Sequence, residues 1–425
     1  MTRPRDKAGP PRHIPGMTDA PSPLPPLADV LIVGGGLAGP TLALALAREG
    51  LSSVLIDARP EAISDRYDGR SYSLAVASRR LLTHLGIWAH VANRAQPILA
   101  IKVADGRPGE APSPLHLAFD HAEIEEGPMG HMVEDRHLRE ALDAELSQES
   151  RVTVLQGQAV VAQEAGPGGV AVTLADGRRI EGRLLVGADG RQSGTAQRAG
   201  IGRTEKRYGQ TAVTCTVHHE KPHRGTACQL FLPSGPLAIL PLTGHRSSVV
   251  WSERDERAKA LMAMDDASFL AALRPVFGSF LGAIGLEGPR FAFPLSLSLA
   301  NSFTGPCLAL VGDAAHGMHP IAGQGLNAGL RDVAALAEVL GDAHGRGEDV
   351  GGPDVLERYA RWRRFDTATL ALATDGFNRL FSNDSRPLRM ARDLGLGLVN
   401  RIAPLRRAFI REAAGLTGEL PRLMR

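Results

Sequence analysis

The chain has 425 residues and a formal net charge of +2, with 43% hydrophobic and 22% charged residues. That length points to two or three folding units, and the balance is that of an ordinary globular protein, which excludes wholesale disorder and an integral membrane protein. Acids and bases are interleaved, which excludes the basic footprint of a nucleic-acid binder, and Cys215, Cys228 and Cys307 lack CxxC spacing and read as reduced thiols of a cytoplasmic protein.

In chain order, residues 1–27 are rich in proline and poor in large apolar residues, a composition that cannot repay the entropy of ordering, and are expected to be a flexible leader. No apolar run approaches the ~20 residues needed to cross a bilayer, so any membrane contact is expected to be peripheral. Val30-Leu31-Ile32-Val33 reads as a strand, followed by a Gly-rich turn, an Ala/Leu-rich helix to Gly50 and a second strand over 54–56 that ends at Asp57. From about 66 to 95, Leu74, Leu81, Leu82 and Leu85 recur on one face and predict helix. Residues 98–128 are short mixed segments, an excursion into a second domain. A helix over 136–146 leads to strands at 152–155, 170–174 and 184–186, the last followed by Gly187-Ala188-Asp189-Gly190. Alternation over 208–252 predicts an antiparallel sheet, the best candidate for a substrate platform. The strand over 308–311 returns the chain to an α/β pattern, and 354–417 reads as almost wholly helical.

Gly34-x-Gly36-Leu37-Ala38-Gly39 lies between a strand and a helix, with Asp57 closing the next strand, which is the context a dinucleotide fingerprint requires. Gly34 permits the tight turn, Gly36 lets the backbone approach a diphosphate, Gly39 allows close helix–strand packing, and Asp57 can accept hydrogen bonds from a ribose. The fingerprint alone separates FAD from NAD no better than chance. Two later segments favour FAD. Gly312-Asp313 again places an acid after an apolar strand, and His319-Pro320-x-x-Gly323-Gln324-Gly325-Leu326-Asn327 opens a helix whose free amides suit the anionic N1–C2=O edge of a reduced flavin. His316 and His319 have no carboxylate or cysteine at useful spacing to complete a metal site.

With the N-terminal fingerprint, Gly187-Ala188-Asp189-Gly190 and Gly312-Asp313 resemble the three ordered signatures of the para-hydroxybenzoate-hydroxylase-like flavoprotein monooxygenases. A closer resemblance is to the FAD-dependent hydroxylases of ubiquinone biosynthesis. It is carried by Asp68-Gly69-Arg70-Ser71-Tyr72-Ser73-Leu74, Val133-Glu134-Asp135-Arg136-His137-Leu138 and the stretch from Ala315 to Asp332, and extends over nearly the whole chain from residue 28. Further echoes are Gly225-Thr226-Ala227-x-Gln229-x-Phe231-x-Pro233, Tyr359-x-x-x-Arg363-Arg364-x-Asp366 and the segment opening at Thr374-Asp375. Two departures stand out: the arginine expected soon after Asp189-Gly190-x-x-Ser193 comes only at Arg198, with Arg191 as the other candidate, and Glu134-Asp135-Arg136 stands where Glu-Asn-Arg is usual.

The resemblance implies an α/β fold: a Rossmann-like, glutathione-reductase-like FAD-binding domain with an inserted antiparallel-sheet substrate domain and a C-terminal helical segment. The boundaries expected are 28–97, 129–204 and 301–350 for the FAD-binding parts, 98–128 and 205–300 for the substrate domain, and 351–425 for the C-terminal helices. It implies that Asp313 bonds the ribityl chain, that Asp189 lies near the diphosphate and the nicotinamide geometry, and that Arg70 and Arg136 contact the cofactor. The amides of Gly323, Gln324, Gly325 and Leu326, with Asn327 beyond them, fall to the flavin edge, and Pro320 to the wall beside the oxygen-bearing carbon. The chemistry implied is reduction of FAD by NADPH or NADH, addition of O2 to give a C4a-hydroperoxide, and hydroxylation of a polyprenylphenol ring. Two rivals keep the fold: an FAD-holding scaffold of a quinone-biosynthesis complex, and a hydroxylase of soluble phenols. Leu388, Ala391, Leu394, Leu398, Ile402, Leu405 and Phe409 at helical spacing, with arginines between, fit either helices packed on the FAD domain or a peripheral contact with the inner membrane.

Overall fold

The computed structural model describes residues 27–60, 69–107, 109, 116–166, 168–317, 323–364, 366 and 402–425. The fold is built on a parallel sheet ordered β17-β18-β11-β1-β2-β8, made of β1 (Ala28–Val33), β2 (Ser53–Asp57), β8 (Val152–Gln156), β11 (Arg179–Gly187), β17 (Thr304–Gly305) and β18 (Leu308–Leu310). Only β17 runs antiparallel in that row. β9 (Val160–Gly166) and β10 (Gly169–Leu174) form a hairpin on the first half of β11. Strands of this kind are covered on both faces and therefore read as unbroken apolar runs. Leu31, Ile32, Val54, Leu184 and Leu310 are accordingly fully buried. Among the helices that cover the sheet are α1 (Ala38–Arg48) and α4 (Asp135–Leu146), and α1 packs beside α8 (Gln324–Gly345).

A second sheet, ordered β19-β16-β12-β15-β14-β13-β5-β6, comprises β5 (Ala100–Asp105), β6 (Leu117–Asp120), β12 (Arg203–His219), β13 (Thr226–Leu232), β14 (Gly235–Leu242), β15 (Arg246–Arg254), β16 (Ile284–Ala300) and β19 (His316–Gly317). Helices α6 (Asp255–Ala263) and α7 (Asp266–Phe277) cover one face, where Val213, Cys215, Val217, Ile239, Val249 and Trp251 pack on Phe269 and Leu273. A small antiparallel sheet of β3 (Ser71–Ala75), β7 (Gly130–Glu134) and β4 (Gln96–Ile98) leans on part of the other face, through Ile98 and Met132 against Ala227 and Leu242. Arg246 on β15 ties the two sheets by pairing with the buried Glu134 at 3.2 Å. The fold is thus the expected α/β class with a large, mainly antiparallel second sheet.

Local structure departs from the sequence pattern in two places. Residues 71–75, expected as helix, form β3 because each pairs with β7, and helix begins only at Val76, with α2 (Val76–His84) and α3 (Ile87–Val91) following. β16 went unpredicted: it carries Pro294, which a central strand resists, but β19 pairs with it only at Ser298 and Leu299, so the missing N–H of Pro294 faces no ladder on that side. Of the predicted C-terminal helices, residues 353–364 form α9 and Ala403–Ala413 form α10, while 367–401 lie outside the described residues.

Candidate nucleotide and flavin site

At the carboxyl end of the parallel sheet, three strands are drawn together by backbone. Gly34 donates to Ile56 O at 2.8 Å and Ala188 donates to Val33 O at 2.8 Å. Gly34 has φ 117°, and a Cβ there would stand 2.4 Å from Ala188 O. At Gly39 a Cβ would stand 1.9 Å from Gly34 O, so the turn folds back on itself only with glycine. Gly36 differs: a Cβ there would meet nothing within 4 Å. Its open side adjoins the start of α1, which has Leu37 at its N-cap, no side-chain cap and no acid in its first turn. A helix start left in that state presents partial positive charge from the amides of residues such as Ala38 and Gly39.

Asp57 ends β2 beneath this turn, where a Cβ on Gly35 would stand 2.2 Å from its carboxylate. The carboxylate is engaged by Arg59, at 2.8 Å from Nη2 and 3.1 Å from Nε, and the same guanidinium donates to Gly35 O. A ribose hydroxyl would therefore share Asp57 with Arg59 or displace it. Asp189, at the end of β11, is committed more fully: Thr195 N and Thr195 Oγ1 donate to it at 2.9 Å, and so does Ser193 Oγ. Its carboxylate organises the loop that opens α5 (Gly194–Arg198) and is turned into its own segment. Of the two candidate arginines, Arg191 reaches Asp313 with Nε to Oδ2 at 3.2 Å, whereas Arg198 binds back onto Gln163 of β9 at 3.1 Å. Arg191 thus bridges the second and third signature segments.

The third segment lies against α8 by way of two glycines. Gly312 has φ 60°, and a Cβ on Gly329 would stand 3.1 Å from Gly312 Cα. The start of α8 is set by Gly323, with φ 64° at the N-cap, and by Asn327. Asn327 Oδ1 accepts from Ala75 N at 2.9 Å and Ser78 Oγ at 2.8 Å, while Nδ2 donates to Ser73 O at 2.8 Å and Gly323 O at 3.2 Å. All four hydrogen-bonding capacities of the side chain are filled by protein, so it staples α8 to β3 and α2, and the part of Asn327 left to face a cofactor is its backbone. A Cβ on Gly325 would meet nothing within 4 Å among the described residues, and Leu326 follows it; Gln324 Nε2 donates to Ala413 O at 3.4 Å. Pro320 lies outside the described residues. Arg70 and Arg136 come from adjoining backbone, since Asp135 N donates to Arg70 O at 3.0 Å. The Arg136 guanidinium pairs with Glu134 at 3.1 Å, and that of Arg70 lies 5.9 Å from the Phe293 ring centroid.

A buried charge network behind these segments was not among the residues singled out for the site. Asp332 of α8 is fully buried; Oδ2 accepts from Gly312 N at 2.9 Å and from His316 Nε2 at 2.5 Å, and Oδ1 from Arg363 Nε at 2.7 Å. Burial would push the Asp332 carboxyl up, but the His316 ring and the Arg363 guanidinium outweigh it and hold it below its ordinary value. Arg363 of α9 continues to Asp366 at 2.8 Å, and Tyr359 of the same helix donates to Leu310 O at 2.8 Å. The signal available in sequence was a lone carboxylate within the apolar stretch of α8 and Tyr359 and Arg363 at i, i+4 on one helix face.

Comparison with known proteins accords with this geometry. Residues 27–371 match the FAD binding domain family. The ubiquinone hydroxylase UbiL of Rhodospirillum rubrum is 49% identical over 94% of this chain and 93% of its own length. The 3-demethoxyubiquinol 3-hydroxylase of Escherichia coli is 36% identical over 91% of this chain and 98% of its own. The solved structure of p-nitrophenol 4-monooxygenase PnpA from Pseudomonas putida has a TM-score of 0.77, covering 92% of this chain and 99% of that one, and at 17% identity the likeness shows the fold alone.

Proposed function

Because the chain belongs to the family of FAD-dependent hydroxylases of ubiquinone biosynthesis, we propose that it inserts one oxygen atom of O2 into the aromatic ring of a polyprenylated phenol or quinol, using NADPH or NADH as reductant. The observation that carries this reading is the convergence of uncapped or glycine-opened backbone at the end of one parallel sheet. Gly36 and Gly325 each leave open the space a Cβ would fill, and each stands at the start of a helix on this side of the sheet. Those two openings fit the diphosphate and the flavin ring of an FAD. When bound, FAD takes hydride from the nicotinamide and activates O2, chemistry that side chains lack.

The rest falls to the chain itself. In this proposal the amides of Ala38 and Gly39 face the diphosphate, Asp57 takes a ribose once Arg59 yields, and Asp313, held by Arg191, takes the ribityl hydroxyls. Arg70 and Arg136 add fixed positive charge, and the amides of Gly323 to Leu326 face the flavin's pyrimidine edge. The substrate ring would lie against the face of the second sheet opposite α6 and α7. The test is the purified holoprotein mixed with NADPH and a short-chain prenylphenol in air: substrate-stimulated NADPH consumption with a product heavier by one oxygen is expected. Consumption that yields only hydrogen peroxide with every phenol tried would set the reading aside in favour of a scaffold.

Among the described residues no helix is long and apolar enough to cross a membrane. One face of α10 is fixed to the body, by buried Ile410 and by Arg406 with Glu123 and Arg411 with Glu126, each at 3.0 Å. Leu405 and Phe409 are 37% and 39% exposed on another face, with Ile402 just before them at 40%. We propose that this face rests on an anionic bilayer, where apolar side chains insert among the headgroups beside basic ones. Wild-type protein is then expected to sediment with anionic liposomes and a Leu405→Glu, Phe409→Glu variant to remain in solution; equal sedimentation of the two would refute the contact.

A further inference from the structure

The register of the second sheet fixes which side chains share the face opposite α6 and α7. Thr214 of β12 is directly opposite Val250 on β15 and Phe291 on β16, and two residues along, Ala212 is opposite Ser252 and Phe293. Directly opposite residues point to the same side. Val213 and Cys215, the neighbours of Thr214, pack on α6 and α7, so Thr214, Ala212, Val250, Phe291 and Phe293 point the other way. On that side the segment entering β3 arrives at close range. A Cβ on Gly69 would stand 2.2 Å from the Phe291 ring, and Arg70 reaches toward Phe293. β3 is in turn stapled to the start of α8 by Asn327. The face carrying Thr214 is therefore joined, through one short strand, to the helix start assigned above to the flavin.

Thr214 is the anomaly on this face. It is 8% exposed, and its Oγ1 is buried with no hydrogen-bond partner among the described residues. A hydroxyl shut away from water without a partner is a net cost, and valine would fill the same space without it. Its cross-strand neighbours, Phe291 and Val250, are apolar and offer it nothing, while two phenylalanines beside the small Ala212 suit a flat ring. We propose that Thr214 is the hydrogen-bond partner of the substrate's ring oxygen, an inference that rests on the proposed function above. A hydroxyl both donates and accepts, so Thr214 can accept from the phenol O–H or donate to a lone pair of the same oxygen, and in either way fixes the orientation of the ring. Phe291 and Phe293 would hold the ring by its faces and edges.

The test compares wild type, Thr214→Val and Thr214→Ser holoenzymes, each titrated with a short-chain prenylphenol and with the matching prenylarene that lacks the ring hydroxyl, and assayed for oxygenated product. Thr214→Val is expected to weaken phenol binding and lower kcat/KM by roughly tenfold to a hundredfold. Binding of the deoxy compound should be unchanged, and Thr214→Ser should keep most of the phenol affinity. Without ligand, Thr214→Val should melt at or above the wild-type temperature, because an unmet hydroxyl has gone. Wild-type phenol affinity in Thr214→Val, or equal loss of both compounds, overturns the assignment while leaving the hydroxylase reading in place. Wild-type protein that binds and oxygenates no phenol overturns both.

Discussion

Asp332→Ala should yield a protein that is severely destabilised and holds no FAD. The carboxylate is fully buried and satisfies three donors at once, Gly312 N, His316 Nε2 and Arg363 Nε. Truncating it leaves the guanidinium of Arg363, itself 2% exposed, with Asp366 as its remaining ion-pair partner among the described residues. Breaking a buried pair from one side costs about 3–5 kcal/mol, a large share of the 5–15 kcal/mol that typically separates folded from unfolded protein. The same loss frees the amide of Gly312 and with it the position of Asp313.

Stability and positioning can be separated. In the Asp332→Leu, Arg363→Met double variant both charges leave together, which in other buried pairs is close to neutral for stability. Denaturant midpoints near wild type are expected for it, with FAD affinity still reduced at least tenfold because nothing holds Gly312. Wild-type FAD affinity in the double variant would reduce the network to a structural brace. Asp332→Asn should fall between, since an amide oxygen can still accept from Gly312 but no longer offsets Arg363.

Why the sequence disclosed some of this and hid the rest follows from the range of each interaction. Gly34, Gly36 and Gly39 act within a few residues, where φ and the reach of one turn decide the outcome, so their spacing can be read directly. Asp332 answers to partners 16, 20 and 31 residues away in the chain. No local pattern marks it, and it looks like a stray acid in an apolar helix. Asn327 is the opposite case: its place at the start of α8 was legible, but that its side-chain amide is spent on β3, α2 and Gly323 was not. In the second sheet, Ala212 to Val217 read as β-rich but could not be divided into faces, because both are buried in β12, one by α6 and α7 and the other against the rest of the protein. Only the register shows that Thr214 and Val213 belong to different surroundings. Asp57 and Asp189 are intermediate. Their positions at strand ends were legible, but Arg59 and the Ser193 and Thr195 donors, which decide what those carboxylates can do, were not.

Gly36→Val should fold like the parent and lose FAD. The position has no left-handed φ, and a Cβ there meets nothing within 4 Å among the described residues, so a branched side chain starts from open space in the ligand-free protein. Gly36 is half-buried and unstrained, and a substitution there that buries no polar group and opens no cavity is expected to shift stability by about 0.5 kcal/mol. The branched side chain would nonetheless stand over the start of α1, where the diphosphate must come within hydrogen-bond distance of the backbone. Losing that approach should reduce FAD affinity by at least about a hundredfold, since charge-assisted hydrogen bonds are worth about 1.5–3 kcal/mol each and more than one is blocked. The neighbouring glycines set the contrast. Gly34→Ala combines φ 117° with a contact of 2.4 Å to Ala188 O, and Gly39→Ala puts a methyl 1.9 Å from Gly34 O, so both should damage the fold itself. Melting temperatures of the three apoproteins and fluorescence titrations with FAD would separate the cases. A Gly36→Val protein that melts normally and binds FAD as tightly as wild type would show that the diphosphate does not pass over this turn, whereas normal melting with lost binding places it there.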